Sequence, residues 1–298
     1  MGKGSRKART TRRAENKRRK VRDVFVGRPF EGLAAEPELI ALREFVPSAT
    51  AKLTLAESVD AEGDKEVTLA SVLPGAAAAM VRADGERFVG LQVQTRSSDV
   101  SRDLGRSLRW VLDAEPGAVL AAPDTTSEPG ENERLQDLLV PDAELEPELH
   151  EDFSWWMDSD TEPTGEVALS LERANAAIQP SERIGPAAYW VHAGEKAHLR
   201  WVRQEDENEV LKALARLSVR DELALGEDSR YAGSFRAHGL LVPVWDLDPD
   251  AHAREWIEPT KQLGARLEEA LASLADQPLD AAERRARDGL IGRQFTLR

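Results

Sequence analysis

The sequence predicts an α+β protein: two similar units of antiparallel strands with packed helices, preceded by a disordered basic arm. Three observations carry that prediction. The first 22 residues hold eleven Lys or Arg and a single acid, Glu15, while the remaining 276 carry 29 basic against 53 acidic side chains. Short alternating apolar runs bounded by turn residues recur through the body, and segments of helical spacing follow them. Gly90-Leu91-x-Val93 and Gly239-Leu240-x-Val242 each lead into a capped helix, so both halves share one strand-to-helix order.

The elements follow in order. Residues 1–23 form the arm: Ala8, Ala14 and Val21 are too few to repay the entropy of ordering a helix. A first unit spans 24–123. It opens with a short helix over Pro37 to Phe45 that Pro47 stops. Leu53 with Leu55, and Val67 with Leu69, read as strands, and the alanines at 76–79 read as a short helix. Met80-Val81 and Phe88 to Val93 flank Asp84-Gly85, a hairpin signal. Ser98 or Asp99 caps a helix that buries Val100, Leu104, Leu108, Val111 and Leu112 and ends before Pro116-Gly117.

Residues 124–165 read as an acidic linker. The stretch from 135 to 172 has twelve acids and no Lys or Arg, with the aromatic knot Phe153, Trp155 and Trp156 as its one anchored patch. The second unit, 166–277, begins with a helix over Val167 to Ile178. A hairpin then pairs 188–191 with 199–202 across Gly194, and another helix runs from Glu207 to Leu217. Gly239 to Trp245 is a buried strand whose Pro243 predicts an edge position or a bulge. Asp248-Pro249 is read as the start of a long helix carrying Trp256, Ile257, Leu263, Leu267, Leu271 and Leu274. A C-terminal helix and tail occupy 278–298.

Composition sets further bounds. With 298 residues and 41% hydrophobic content the chain can build real cores, and its net charge of −14 gives an anionic surface. The chain has no cysteine, which removes disulfides, thiolate nucleophiles and Cys-ligated metal from the reading. The segment after the arm carries Arg22, Asp23 and Arg28 where a signal peptide has an apolar core. No run reaches the roughly 20 apolar residues of a spanning helix. A cytoplasmic protein with no membrane span is expected.

The arm carries the strongest functional signal. Lys3, Arg6, Lys7, Arg9, Arg12, Arg13, Lys17, Arg18, Arg19, Lys20 and Arg22 can contact a phosphate backbone, and no aromatic side chain lies between them to stack on bases. RNA, and the ribosome in particular, is the expected partner; an anionic membrane or the protein's own acidic surface are alternatives. Arg230, Arg236 and His238, with Tyr231, make a candidate pocket for an anionic small ligand. Trp155 and Trp156 either anchor the linker or dock a protein partner. Asp246, Asp248, Asp250 and His252 resemble a metal loop but lack the glycine and distal glutamate of an EF-hand, and helix capping explains most of them. His192 and His198 flank a turn without further ligands. No cofactor motif and no catalytic signature stand out, so no cofactor or metal is assigned.

Five blocks carry a family likeness: Arg28 to Leu33, Leu42 to Thr50, Ser170 to Ile178, Gly233 to Leu247, and Gly289 to Arg298. Together they resemble an actinobacterial family described as a domain of unknown function, with a basic N-terminus ahead of its body. The resemblance covers nearly the whole chain and implies no catalytic residue. The expectation is a non-enzymatic protein tethered to RNA or the ribosome. A ligand sensor or enzyme with a site between the units, and an adaptor using the acidic linker, are the alternatives.

Overall fold

The computed structural model describes residues 24–60, 65–123, 133–158 and 162–294. The arm's basic residues therefore lie outside the described residues. The first unit contains α1 (Glu36–Glu44), β1 (Ala49–Lys52), β2 (Thr68–Val72), β3 (Ala79–Val81), β4 (Arg87–Gln92), α2 (Val100–Asp113), β5 (Val119–Leu120) and β6 (Glu148–Leu149). Its sheet runs β5-β3-β4-β2-β1-β6, antiparallel except where β2 meets β4. The second unit contains α3 (Gly165–Ala176), β7 (Ser181–Gly185), β8 (Ala188–Ala193), β9 (Lys196–Trp201), α4 (Glu207–Val219), β10 (Ser229–Ala237), β11 (Leu240–Leu247), α5 (Ile257–Ser273) and α6 (Ala281–Ile291). Its sheet, β10-β11-β9-β8-β7, is antiparallel throughout. The α+β class holds for both units, while their strand orders differ.

The pleat of the second sheet divides the protein. Along β8, Tyr189 and Val191 join the core built by α1, α2 and the first sheet, whereas Ala188 and Trp190 join the core under α4, α5 and α6. α1 is the shared layer. Leu39, Ile40, Ala41 and Leu42 are fully buried on consecutive positions, and Glu36, Glu38 and Arg43 are buried as well. Only a helix enclosed on every side shows that pattern. A small third cluster, Ala70, Leu73, Ala77, Met80 and Phe88, lies on the first sheet's other face, and Trp155 covers it.

The sequence-level expectations differ from the structure in five places. The acidic segment is no linker over 133–158: Leu135, Leu138, Leu139 and Phe153 are buried, β6 pairs with β1, and Leu55 bridges Leu139. Its acids sit on the solvent side of a few apolar anchors. The alanines at 76–79 do not form a helix, because Gly75 and Ala76 take positive φ and Ala79 is paired with Val89 and Leu120 in the sheet. Pro243 lies in β11, an interior strand rather than an edge; the β10 side has a register irregularity beside it, between Tyr231 and Gly233, and the pairing on the β9 side is interrupted between Val244 and the Arg203–Leu241 bridge, at the residue that has no N–H to donate. The long helix starts at Ile257 rather than at Asp248, whose carboxylate instead accepts the Asp250 N–H at 2.9 Å in a turn. Strands β7 and β10 are additional to the expected elements: charged Glu182, Arg183, Arg230 and Arg236 interrupt the apolar alternation that marks a strand.

Two glycines mark unlike sites despite their matching motifs. Gly90 sits inside β4, where an added Cβ would lie 2.6 Å from the Ala77 carbonyl. Gly239 turns β10 into β11 at φ +86°.

Arg216 anchors the helical layer. It is 2% exposed and donates to Glu283, to the Ser273 hydroxyl and to the Gln277 carbonyl, which joins α4 to α6 and the α5–α6 loop. Replacing Arg216 with Ala leaves the Glu283 carboxylate only the Asp280 N–H, and denaturant unfolding is expected to register a loss of about 3 kcal/mol.

Candidate functional site

The three residues expected to form an anion pocket do not converge. Arg230 pairs with Asp246 at 3.0 Å on the exposed start of β10. Arg236 donates two 2.6 Å bonds to Glu207, and this pairing raises its pKa while lowering that of the carboxylate. Six residues along a strand separate the two arginines by about 20 Å. His238 occupies the β10–β11 turn at φ +47°, with Nε2 2.7 Å from Glu44 Oε1. None of the three lines a cavity described below.

The other marked residues also have local roles. His192 and His198 stand opposite Ala197 and Val191 rather than each other. Asp246 also pairs with His198 at 3.2 Å, and His252 Nδ1 accepts the Arg254 N–H. Among the described residues no three His, Asp or Glu side chains gather as a metal-binding group. Trp155 stacks near Phe88 and His150 and donates to Ser48 Oγ at 2.9 Å; Trp156 stacks on Phe153 at 4.3 Å and donates to the Val72 carbonyl. Both indoles fasten their segment to the first sheet.

The chemistry gathers instead where the edge strands β6 and β7 meet beside α1. Glu38, on the first turn of α1, accepts the Tyr189 hydroxyl at 2.5 Å, the Ala187 N–H at 2.8 Å and the Arg183 guanidinium at 2.8 and 3.0 Å. Arg183 reaches on to Glu146 at 2.6 Å, so one guanidinium ties both sides of the seam. Burial, reinforced by Glu38, pushes the Tyr189 phenol well above its usual pKa and keeps it a donor. Glu36, fully buried one turn edge away, takes two bonds from Arg28 at 2.7 and 2.8 Å. A buried carboxylate must be paired to be tolerated, and each of these is.

A cavity opens at either end of this seam. The first, about 600 Å³, is bounded by Glu38, Glu144, Glu146, Arg183, Trp201, Arg203 and Glu205 with apolar Pro37, Leu145 and Pro186. Both of its arginines are engaged: Arg183 with Glu38 and Glu146, and Arg203 with Glu205 while lying over the Trp201 ring at 4.7 Å. The second, about 610 Å³, has Val46, Pro47, Leu149, Ile178 and Pro180 as apolar walls, and His150, Glu151, Asn175, Glu182, Trp190, His252 and Arg254 as polar ones. His150 Nε2 lies 2.8 Å from Thr50 Oγ1, and burial holds the imidazole below its ordinary pKa against the pull of Glu148 and Asp152. Trp190 is 8% exposed, and its indole N–H is buried with no acceptor. Sequence reasoning missed this seam because its partners come from positions some 145 residues apart, as in Glu38 with Arg183. Glu36 and Glu38, set directly against the apolar run Leu39 to Leu42 of a short helix, were the available signal.

A family of unknown function, DUF5926, matches residues 29–298, which is most of the chain and both sides of the seam. The chain belongs to the DUF5926 family. No curated protein matches it. No solved structure matches it either.

For this DUF5926 chain the seam generates two expectations. Glu38→Ala leaves Arg183 and the Ala187 N–H without their buried acceptor, and calorimetric or denaturant unfolding should show a loss of about 3–5 kcal/mol. The second concerns pH. The unfolded His150 titrates near 6.5, above its depressed value in the fold, so the unfolded state binds more protons in that window and stability rises with pH. Stability is whole above about pH 6.5 and falls as the pH drops through the folded value. His198, lowered by burial despite Asp246, acts in the same direction. Melting curves between about pH 5 and 7.5 are expected to flatten in His150→Gln; an unchanged acid slope would remove His150 as its source.

Proposed function

We propose that this protein binds a small ligand in the seam between its two α+β units. The observation that supports the reading is the pair of cavities of about 600 Å³ at the ends of the β6–β7 seam, one on each side of the buried Glu38–Arg183 pair. That volume is in the range of small-molecule sites, about 300–1,000 Å³, and such sites favour junctions between packed units. The fixed ion pair holds the walls in place before a ligand arrives, which lowers the ordering cost of binding. Nothing in the lining is arranged as nucleophile and base, so the reading is of binding, as in a sensor.

A thermal-shift screen of nucleotides and metabolites tests it, with the full chain beside a chain lacking residues 1–22. A ligand at a hundred times its Kd stabilises by about 2.7 kcal/mol, which moves the midpoint of a protein this size by several degrees. The same shift is expected with and without the arm. A screen in which no compound moves the midpoint of either chain rejects the reading.

A second reading rests on the arm. Eleven cations and one acid in 22 residues suit attachment to a phosphate backbone, so we place the protein in the cytoplasm, held to RNA or the ribosome by residues 1–22. Removing the arm is expected to abolish co-sedimentation with ribosomes, and raising the salt should weaken it steeply. Undiminished sedimentation of the truncated chain at raised salt would falsify the tether.

A further inference from the structure

We infer that Phe25 is a base-stacking platform at the root of the basic arm, so that ring and arm together take a single strand of RNA. The inference rests on the tether reading above and names the form of RNA that is held. Phe25 is 78% exposed and Val24 beside it 64%, and no other described Phe, Tyr or Trp is exposed. A lone apolar side chain in water is ordinary, but this ring leads directly into eleven cations within 22 residues. The segment after it is pinned on three sides. The Val26 N–H donates to the Ser98 carbonyl at 3.1 Å, Gly27 and Arg28 lie so close to Gly239 that a Cβ there would meet them at 3.0 and 2.9 Å, and Arg28 donates to Glu36 and to the Gln204 carbonyl. Phe25 thus stands on a fixed root and faces solvent.

The charge around the root selects a polyanion. Arg22 lies three residues before Phe25, and Arg96, two residues from the Ser98 carbonyl that holds Val26, is exposed with no hydrogen bond or ion pair engaging it among the described residues. The acids of the pinning elements are already engaged: Glu31 and Glu36 by Arg28, Glu44 by His238, Asp99 by Arg134 and Asp103 by the Ser97 N–H. Their charge is offset locally, which leaves the root to its cations. A phosphate backbone answers those cations, and an unpaired base offers the ring its π-face. A duplex keeps its base faces stacked inside and meets the arm through phosphates alone. An anionic bilayer fits less well, because a plane wide enough to take the arm and Phe25 also faces the body, where 53 acids outnumber 29 basic side chains. A single strand is too narrow to meet that repulsion.

The experiment uses the full-length chain and fluorescence anisotropy with two probes, an unstructured RNA strand of about 12 nucleotides and an RNA duplex of about that length, each titrated at several salt concentrations. Phe25→Ala is expected to weaken the strand about tenfold and to leave the duplex unchanged. The salt slope of both should hold, since no cation is removed. Phe25→Trp should restore strand binding, and the melting midpoint of either variant should match the parent because the side chain is exposed. Arg96→Gln, by contrast, should weaken strand and duplex alike and lower the salt slope by about one. Phe25→Ala binding the strand as tightly as the parent, or losing strand and duplex equally, overturns the platform. If that happens while removal of residues 1–22 abolishes binding of both RNAs, the tether stands without it; if the full chain binds neither RNA, both fall. Phosphatidylserine vesicles bound in a Phe25-dependent way, with the RNA strand left unbound, overturn the RNA assignment in favour of a membrane.

Discussion

The structure depends on burying α1 with its charges paired. A helix enclosed between two sheets cannot send Glu36 or Glu38 to water, and an unpaired carboxylate there would be prohibitively costly. Arg28 answers Glu36; Arg183, Tyr189 and the Ala187 N–H answer Glu38. These partners come from the segment before α1 and from the second sheet, so satisfying one helix fixes the placement of both units. Replacing such pairs with apolar residues could stabilise a fold of this size equally well, but apolar contact would not fix the position of Arg183 between Glu38 and Glu146.

The same constraint accounts for where space remains. The two sheets meet along short edge strands of unequal length, β6 with two residues and β7 with five. Side chains fill the middle of the seam, where Arg183 spans Glu38 and Glu146, and the two cavities lie to either side. At the acidic end the two arginines that line the cavity are held by its own acids, Arg183 by Glu38 and Glu146 and Arg203 by Glu205. The other is lined by His150, Trp190, His252 and Arg254 beside Glu151 and Glu182.

Much of the local structure was legible. The Asp99 cap, the Asp84-Gly85 hairpin, the 188–202 hairpin and the C-terminal helix all appear close to their expected places, because each is set by neighbours in sequence. The errors share one cause. The alanines at 76–79 had helical propensity, yet Val89 and Leu120 recruited Ala79 into the sheet. The segment at 133–158 had a linker's composition, yet Leu135, Leu138 and Phe153 were enough to seat it. Arg230 and Arg236 share a strand that sets them far apart, and each found its own acid.

By itself the sequence determined the α+β class, the position of most helices and the separation of a +10 arm from a −24 body, since charge and periodicity are properties of the chain. Tertiary structure alone decided the seam. Glu38 and Arg183 are ordinary charged residues along the chain, and they become a junction only when folding removes the water between them. Trp190 likewise reads as one more core aromatic. Only the packed fold could leave its N–H facing no oxygen, because a donor's lack of a partner depends on everything that packs around it.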